Sequence, residues 1–453
     1  MRPGYEYCVS RGEVASLLAV VVAAVAIRFA VSASLKGHSY LAPDRVKPEP
    51  EAVYLKRGGG PGLGDSEQYL LLAKGIRQRQ LYTWNHEPNT FRTPGYPLLL
   101  ALLDNNIAAI VVVQALLGGL TVFLTGLIGF RLFSARVGLL AAVLLAVDIP
   151  SIFSSGMVMS EVLFTFAVVQ AATLVWTTAS YQPRAASLRP LLAGLVLGLA
   201  VLVRPVALFA FVPFGIALAA RRNWRGLVMM LAAFSLLPGI WAARNYHHYG
   251  RFSLTSNGAY NLLYLNAASV IGDRQHTTWD VARIELARDF TSRLETDNPL
   301  ELAEAMTRKA TGVIFADPFR YAWICLRGVP KVIAGIKSDD LVLRTRAAKV
   351  PAIQGSVLLN RDCFSRGVRL AMWLLAGFEL LTAVGAFLLA LVSLGFRRWR
   401  AEKVLLILVG LYFVAVALPF TDGRFRVPAV PFLYLAAATV VAGRWGMRSG
   451  EAA

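Results

Sequence analysis

The chain has 453 residues, 56% of them hydrophobic and only 16% charged, a balance too apolar for an ordinary soluble globular protein and one that argues against a cytosolic enzyme. Its net charge of +19 then reads as the Lys/Arg bias of loops in a membrane protein, and no nucleic-acid partner is expected. Three cysteines, Cys8, Cys325 and Cys363, are too few for a disulfide framework, and no Cys/His spacing suggests structural zinc.

A bilayer core takes about 20 mostly apolar residues per helix, and the sequence supplies about ten such runs. In chain order they fall near 13–35, 107–130, 137–153, 157–179, 190–203, 205–220, 226–243, 370–396, 404–419 and 427–443. Several are short or contain proline, so re-entrant segments fit as well. The first has no small-residue cleavage site and is expected to be a retained helix whose Arg28 snorkels toward its end. With the N-terminus in the cytoplasm, Arg131 and Arg136, Arg184 and Arg189, Arg221, Arg222 and Arg225, Arg397 to Lys403, and Arg444 and Arg448 share that side. The expected fold is therefore an all-α membrane protein, a multispanning helical bundle with outer-face amphipathic helices and a small, mostly helical extracytoplasmic segment. Residues 1–243 form the N-terminal transmembrane module, including a first outer loop at 36–106. Residues 244–369 form the extracytoplasmic segment and 370–453 the last transmembrane helices.

In the first outer loop, Gly-rich residues 56–64 precede a helix expected from Asp65 to about Arg79, with Asp65 as a candidate N-cap. Tyr69, Leu70, Leu72, Ala73 and Ile76 would give that helix an apolar face suited to the membrane interface. In the second loop, a Ser/Asn/Gly-rich stretch at 253–266 is followed by helical patterns at 279–295 and 299–316.

Asp65, Glu67, Arg92, Glu161, Arg204, Arg244, Arg424 and Arg426 all map to the outer ends of spans or to outer loops. Charges at such depth are costly, and their gathering on one face suggests a shared polar cavity. Carboxylates beside guanidiniums suit transfer of a group from a lipid phosphate, which needs a base and fixed positive charge for the departing phosphate. Each residue also has a plainer reading. Asp65 serves equally as a helix cap, Arg204 as a snorkelling arginine between two spans, and Arg244 as an anchor beside Trp241. Glu161 has no basic residue one turn away and is expected to be buried. Arg92 in Phe91-Arg-Thr-Pro-Gly-Tyr-Pro97 sits in a turn stiffened by two prolines. His247 and His248 lack metal-binding helical spacing. Glu379 is either a buried structural group or a lipid-site contact, and Cys325 and Cys363 could pair in an oxidising compartment.

The ordered series Gly64-Asp-Ser-Glu-Gln-Tyr69, Arg92-Thr-Pro-Gly-Tyr-Pro97, Ser160-Glu-Val-Leu-Phe164, Val203-Arg-Pro205, Arg244-Asn-Tyr246 and Arg424-Phe-Arg-Val-Pro428 resembles the GT-C class of multispanning glycosyltransferases. The likeness is to the bacterial aminoarabinose-transferase-like and protein-mannosyltransferase-like families in particular. The resemblance implies a cytoplasmic (inner) membrane enzyme of cell-envelope glycan biosynthesis whose site faces away from the cytoplasm. It would move a sugar from a polyprenyl-phosphate donor to a glycan, lipid or protein acceptor by one inverting displacement. By the same resemblance, Asp65 is the general-base candidate and Glu161 the second acidic position. Glu67, Tyr69, Arg92, Tyr96, Arg204, Arg244, Asn245, Arg424 and Arg426 are substrate-binding candidates. No cofactor is read from the residues directly; some members of the class hold a divalent metal ion, for which Asp65 would be the ligand. Two other functions use similar features: a lipid-linked sugar flippase or exporter, and an oligosaccharide polymerase.

Overall fold

A computed structural model describes residues 10–34, 64–78, 82–84, 87–177, 188–291, 296–338, 341–342, 366–396, 400–419 and 422–448. Among them the only extended pairing is a two-residue antiparallel ladder, Thr83–Trp84 (β1) against Glu87–Pro88 (β2), so the expectation of a helical protein holds in its broad form. The helices are α1 (Arg11–Ser34), α2 (Asp65–Arg77), α3 (Gly95–Leu102), α4 (Ile107–Leu132), α5 (Ala135–Ala146), α6 (Ile149–Ser155) and α7 (Glu161–Thr177). They continue as α8 (Arg189–Val203), α9 (Phe211–Ala220), α10 (Trp224–Tyr249), α11 (Asn257–Asn261), α12 (Ala268–Arg274) and α13 (Trp279–Thr291). The last are α14 (Pro299–Phe315), α15 (Pro318–Ile333), α16 (Arg366–Ser393), α17 (Arg400–Ala415) and α18 (Val430–Arg448).

By length and composition, four helices can cross a membrane (α1, α4, α10 and α16), or five if α5 and α6, bent by 58° at their junction, count as one span. The other apolar helices, such as α7, α8 and the apolar part of α18, are shorter. Among the described residues each of the ten apolar runs is largely helical, and fewer than ten of these helices are long enough by themselves to cross a bilayer.

The bundle forms because these helices are apolar on more than one side and must bury against each other. α8 packs between α7 and α10, α4 against α1, α5 and α7, and α18 against α16, α5 and α17. Val122, Val168, Trp176, Leu197, Phe214 and Phe432 lie in the common core. A second, smaller core belongs to α11–α14, where Tyr260, Leu263, Tyr264, Leu286, Leu302 and Met306 bury together with Phe91 of the first loop. The expected helices at 279–295 and 299–316 are α13 and α14; α14 starts where Asn298 accepts from Leu300 N and Glu301 N and proline follows. The stretch at 253–266 is largely helical, passing from α11 through a wide π turn (Leu262–Ala267) into α12.

Two expectations are corrected. Arg28 does not snorkel: it is 1% exposed, and its guanidinium donates to Ala24 O, Leu145 O and Ala146 O at 3.1, 3.3 and 3.4 Å. Leu145 and Ala146 end α5, where the bend toward α6 leaves carbonyls without helical partners, and a cation answers them. On α2, Tyr69, Leu72 and Ala73 are buried; that apolar face is covered by protein, chiefly α3, so it does not lie on lipid. The pairing open to Cys325 and Cys363 involves a residue, Cys363, that lies outside the described residues.

Candidate active site

Asp65 is the first helical residue of α2, not its cap. Gly64 takes the cap position, and Glu67 Oε2 accepts from Gly64 N at 3.3 Å, so the capping work falls to Glu67. The Asp65 carboxylate is therefore free to turn outward. Its Oδ1 lies 2.5 Å from Arg92 Nη2 and its Oδ2 3.4 Å from Arg424 Nη2.

Arg92 is fixed from several directions. Asn89 Oδ1 accepts its backbone N–H at 3.0 Å, Gln68 Oε1 accepts from Nε at 2.7 Å, and the guanidinium stands 5.1 Å from the centre of the Tyr69 ring. The turn that carries it leads into α3 through Gly95, whose Cα faces the end of α8; a Cβ there would meet Leu202 C and O at 2.8 Å. That absent side chain lets the Arg92 turn approach the Arg204 corner. Arg204 ends α8 in an extended conformation before Pro205, as a residue preceding proline prefers. It pairs with Glu161, the first residue of α7, at 2.7 Å, and the Glu161 side chain is 4% exposed. Arg424 comes from the short 3₁₀ turn Gly423–Arg426, where Asp422 Oδ1 accepts its N–H at 2.9 Å. Its Nε is 4.0 Å from Glu161 Oε1, out of solvent and without a hydrogen-bond acceptor.

Asp65, Arg92, Glu161, Arg204 and Arg424, from five separate chain segments, thus converge on the wall of one cavity of about 1340 Å³. Three guanidiniums against two carboxylates leave one positive charge in excess. Removal from bulk water disfavours charge on Asp65, but the Arg92, Arg424 and Arg204 guanidiniums outweigh it and hold the carboxyl well below the usual range. Apolar residues, among them Phe153, Met159, Phe164, Val206 and Phe413, continue the wall on one side, and Asn257, Tyr260, Asn261 and Trp279 on another.

Of the remaining candidates only Tyr69 reaches the cavity. Tyr69 lines the cavity and its hydroxyl is 3.3 Å from Ser160 Oγ, whereas Tyr96 is fully buried behind it, donating to Gln114 Oε1 at 2.7 Å. Arg244 is spent on the backbone of the first loop: it donates to Asn89 O at 2.9 Å, Tyr82 O at 3.1 Å and Asn245 Oδ1 at 2.7 Å. Asn245 in turn donates to Ser253 O at 2.7 Å. These two brace the loop that carries Arg92 and do not line the cavity. Arg426, one residue beyond Phe425, turns away from Arg424 and meets Glu379 at 2.8 Å, both side chains 3% exposed or less. Glu379 also accepts from Lys337 N and Ser338 N, which gives it a structural role.

Sequence reasoning passed over Gln68, Lys337 and Asp422. Gln68 had a signal, since it stands three residues after Asp65 and shares its helix face. The ion pair of Lys337 with Asp422 at 3.0 Å joins positions too far apart in the chain to be paired from pattern.

A metal ion does not fit this donor set. Among the described residues no three His, Cys, Asp or Glu side chains gather, and both oxygens of Asp65 face guanidiniums, where a cation would be repelled.

Residues 101–246 match the family model for dolichyl-phosphate-mannose-protein mannosyltransferase, so the resemblance to the GT-C class extends over a segment that contains Glu161, Arg204 and Arg244. No curated protein matches the chain. Among solved structures, the chain is similar to the archaeal oligosaccharyltransferase AglB from Archaeoglobus fulgidus in complex with an inhibitory peptide and a dolichol-phosphate. The identity is 17% over 97% of this chain and 51% of that one, with a TM-score of 0.47. The Archaeoglobus fulgidus oligosaccharyltransferase in complex with Zn and sulfate gives 15% identity, 96% and 50% coverage and a TM-score of 0.45. The chain spans about half the length of these solved structures.

Proposed function

We propose that the protein is a membrane glycosyltransferase that moves a sugar from a polyprenyl-phosphate donor to a hydroxyl of a glycan, lipid or protein acceptor. The observation that carries this reading is the convergence of Asp65, Arg92, Glu161, Arg204 and Arg424 on one cavity as a group with a single positive charge in excess, within a lining where seven Arg and Lys stand against four Asp and Glu. A sugar phosphodiester carries one negative charge and complements that excess. The part-exposed guanidinium of Arg424 on the cavity wall supplies donors for it, and the apolar wall beside Phe164 and Phe413 suits a lipid chain.

In the proposed reaction the acceptor oxygen loses its proton to Asp65 and attacks the anomeric carbon, while the bond from that carbon to the phosphate oxygen breaks with its electron pair. The phosphate passes from a monoanionic diester to a dianionic monoester. Arg92 and Arg424 therefore bind the transition state more tightly than the ground state, which raises rate and not only affinity. A carboxylate held ionised by guanidiniums is a weak base. The donor phosphate would draw on the same guanidiniums and return basicity to Asp65 when substrate is bound. Glu161 would keep Arg204 in place.

The short apolar helices complete a membrane domain of about ten passes in this reading. The N-terminus lies in the cytoplasm of a bacterial cell, the cavity opens on the far side of the inner membrane, and residues 244–369 recognise the acceptor. Purified protein in lipid nanodiscs, given a labelled polyprenyl-phosphate monosaccharide and candidate acceptors, tests the reading. Label on the acceptor supports it. Transbilayer movement of intact donor in vesicles, or growth of pyrophosphate-linked repeats, would replace it with a flippase or a polymerase.

A further inference from the structure

Helix α15 has two adjoining faces of opposite character. Phe315, the last residue of α14, is 76% exposed, and on one face of α15 Phe319, Trp323 and Leu326 are 87%, 55% and 60% exposed. Spacings of three and four residues place them on one side of the helix. On the next face Ile324, Arg327, Gly328 and Lys331 line the large cavity. Arg327 joins the two faces: its guanidinium lies 5.8 Å from the Trp323 ring centre and 2.6 Å from Asp273 Oδ1. α15 packs against α16 and α17. α16 is one of the helices able to cross a bilayer, and its Leu370, Trp373 and Leu374 are also exposed.

A row of large aromatic and aliphatic side chains facing water would be unfavourable, and one that adjoins a membrane helix has a ready solvent in the acyl chains. Trp and Phe below, with Arg and Lys beside them, is the order of side chains met on passing from chain to head group. We infer that α15 lies in the leaflet onto which the cavity opens, with Phe315, Phe319, Trp323 and Leu326 among the acyl chains and Arg327 and Lys331 at the depth of the lipid phosphates. The interfacial place that the sequence suggested for the helix after Asp65 belongs to this helix instead. Under the proposed function, α15 is also the sill that a polyprenyl phosphate crosses on leaving the leaflet; only this last step rests on that function.

The test reads depth without using any sugar donor. Phe319→Cys, in a full chain with Cys8, Cys325 and Cys363 replaced by serine, is labelled with an environment-sensitive fluorophore and reconstituted in phosphatidylcholine/phosphatidylglycerol vesicles. Lipids brominated near the head group should quench the label while aqueous iodide does not. The same label on Arg308→Cys, exposed on α14, should respond to iodide. A Phe319 label that iodide quenches as freely as the Arg308 label would overturn the inference. So would a label shielded from both quenchers until the protein is diluted with excess lipid, since a second copy would then cover the face. If the cysteine-free chain does not fold, Trp323→Phe in the native chain gives the same reading: it should remove part of the intrinsic fluorescence that shallow bromolipid quenches, and no change would contradict the placement.

Discussion

Arg424 Nη2 stands 3.4 Å from Asp65 Oδ2 although 359 positions separate the two residues. One belongs to α2 and the other to the short turn before α18, so the contact joins distant parts of the chain at the cavity. Arg424 also lies 4.0 Å from Glu161. It is the one guanidinium of the group that touches both carboxylates.

Arg424→Ala should reduce kcat for sugar transfer by about 100-fold or more, the usual cost of deleting a preorganised donor to developing negative charge. Arg424→Lys keeps the charge but not the fork, and should recover only part of the loss. Steady-state kinetics on both variants, with circular dichroism to confirm folding, makes the check; full activity in the lysine variant would reduce Arg424 to a source of bulk charge.

Asp65 links stability to pH. Its folded-state carboxyl titrates below the ordinary range because of Arg92, Arg424 and Arg204, despite the opposing effect of burial. The unfolded chain therefore takes up the proton first. The stabilising contribution is complete above the unfolded value of about 3.9 and declines as pH falls through and below it. Asp65→Asn removes this contribution, so the difference in Tm between wild type and variant should be largest near neutral pH and shrink toward about pH 3. A difference that grows on acidification would contradict the sign.

Glu379 and Arg426 form an ion pair removed from solvent, and with the N–H groups of Lys337 and Ser338 they tie α16 to the segment after α15 and to the 423–426 turn. Glu379→Ala leaves a buried guanidinium without its carboxylate and should cost about 3–5 kcal/mol of stability. Adding Arg426→Met should restore part of it, measured as Tm in detergent. A double variant less stable than the single one would show that the pair is not the source of the loss.

Gly129 of α4 faces Gly138 of α5 so closely that a Cβ on it would strike the Gly138 backbone. Gly129→Ala should therefore separate the two helices and lower Tm by several degrees, in line with a destabilisation of about 1–3 kcal/mol. Gly239→Ala, where a Cβ meets nothing within 4 Å, should leave Tm unchanged or slightly raised. Equal effects of the two would argue against close packing at this crossing.

Much of this arrangement is written locally. Apolar runs mark the helices because lipid and core select the same side chains, and Asn298-Pro299 marks the start of α14 because capping needs only neighbours in sequence. The gathering of Asp65, Arg92, Glu161 and Arg204 is legible in the sequence as an expected shared level near the ends of apolar runs. What that level does not reveal is direction. The sequence assigns Arg244 and Arg426 to the same level as Arg204 and Arg424, yet one answers the carbonyls of Tyr82 and Asn89 and the other answers Glu379. Their partners are distant in the chain, so no local pattern separates them from the arginines of the cavity. Arg28 misleads for a related reason: two of the carbonyls it bonds, those of Leu145 and Ala146, are more than a hundred residues away at the end of α5.

The central claim is that the cavity binds a lipid phosphate through Arg92 and Arg424, and native mass spectrometry of the protein in nanodiscs containing polyprenyl phosphate tests it most directly. Wild type should retain one polyprenyl phosphate, and Arg92→Ala and Arg424→Ala should lose it while remaining folded. Retention of the lipid by both variants to the same extent as wild type would contradict the account.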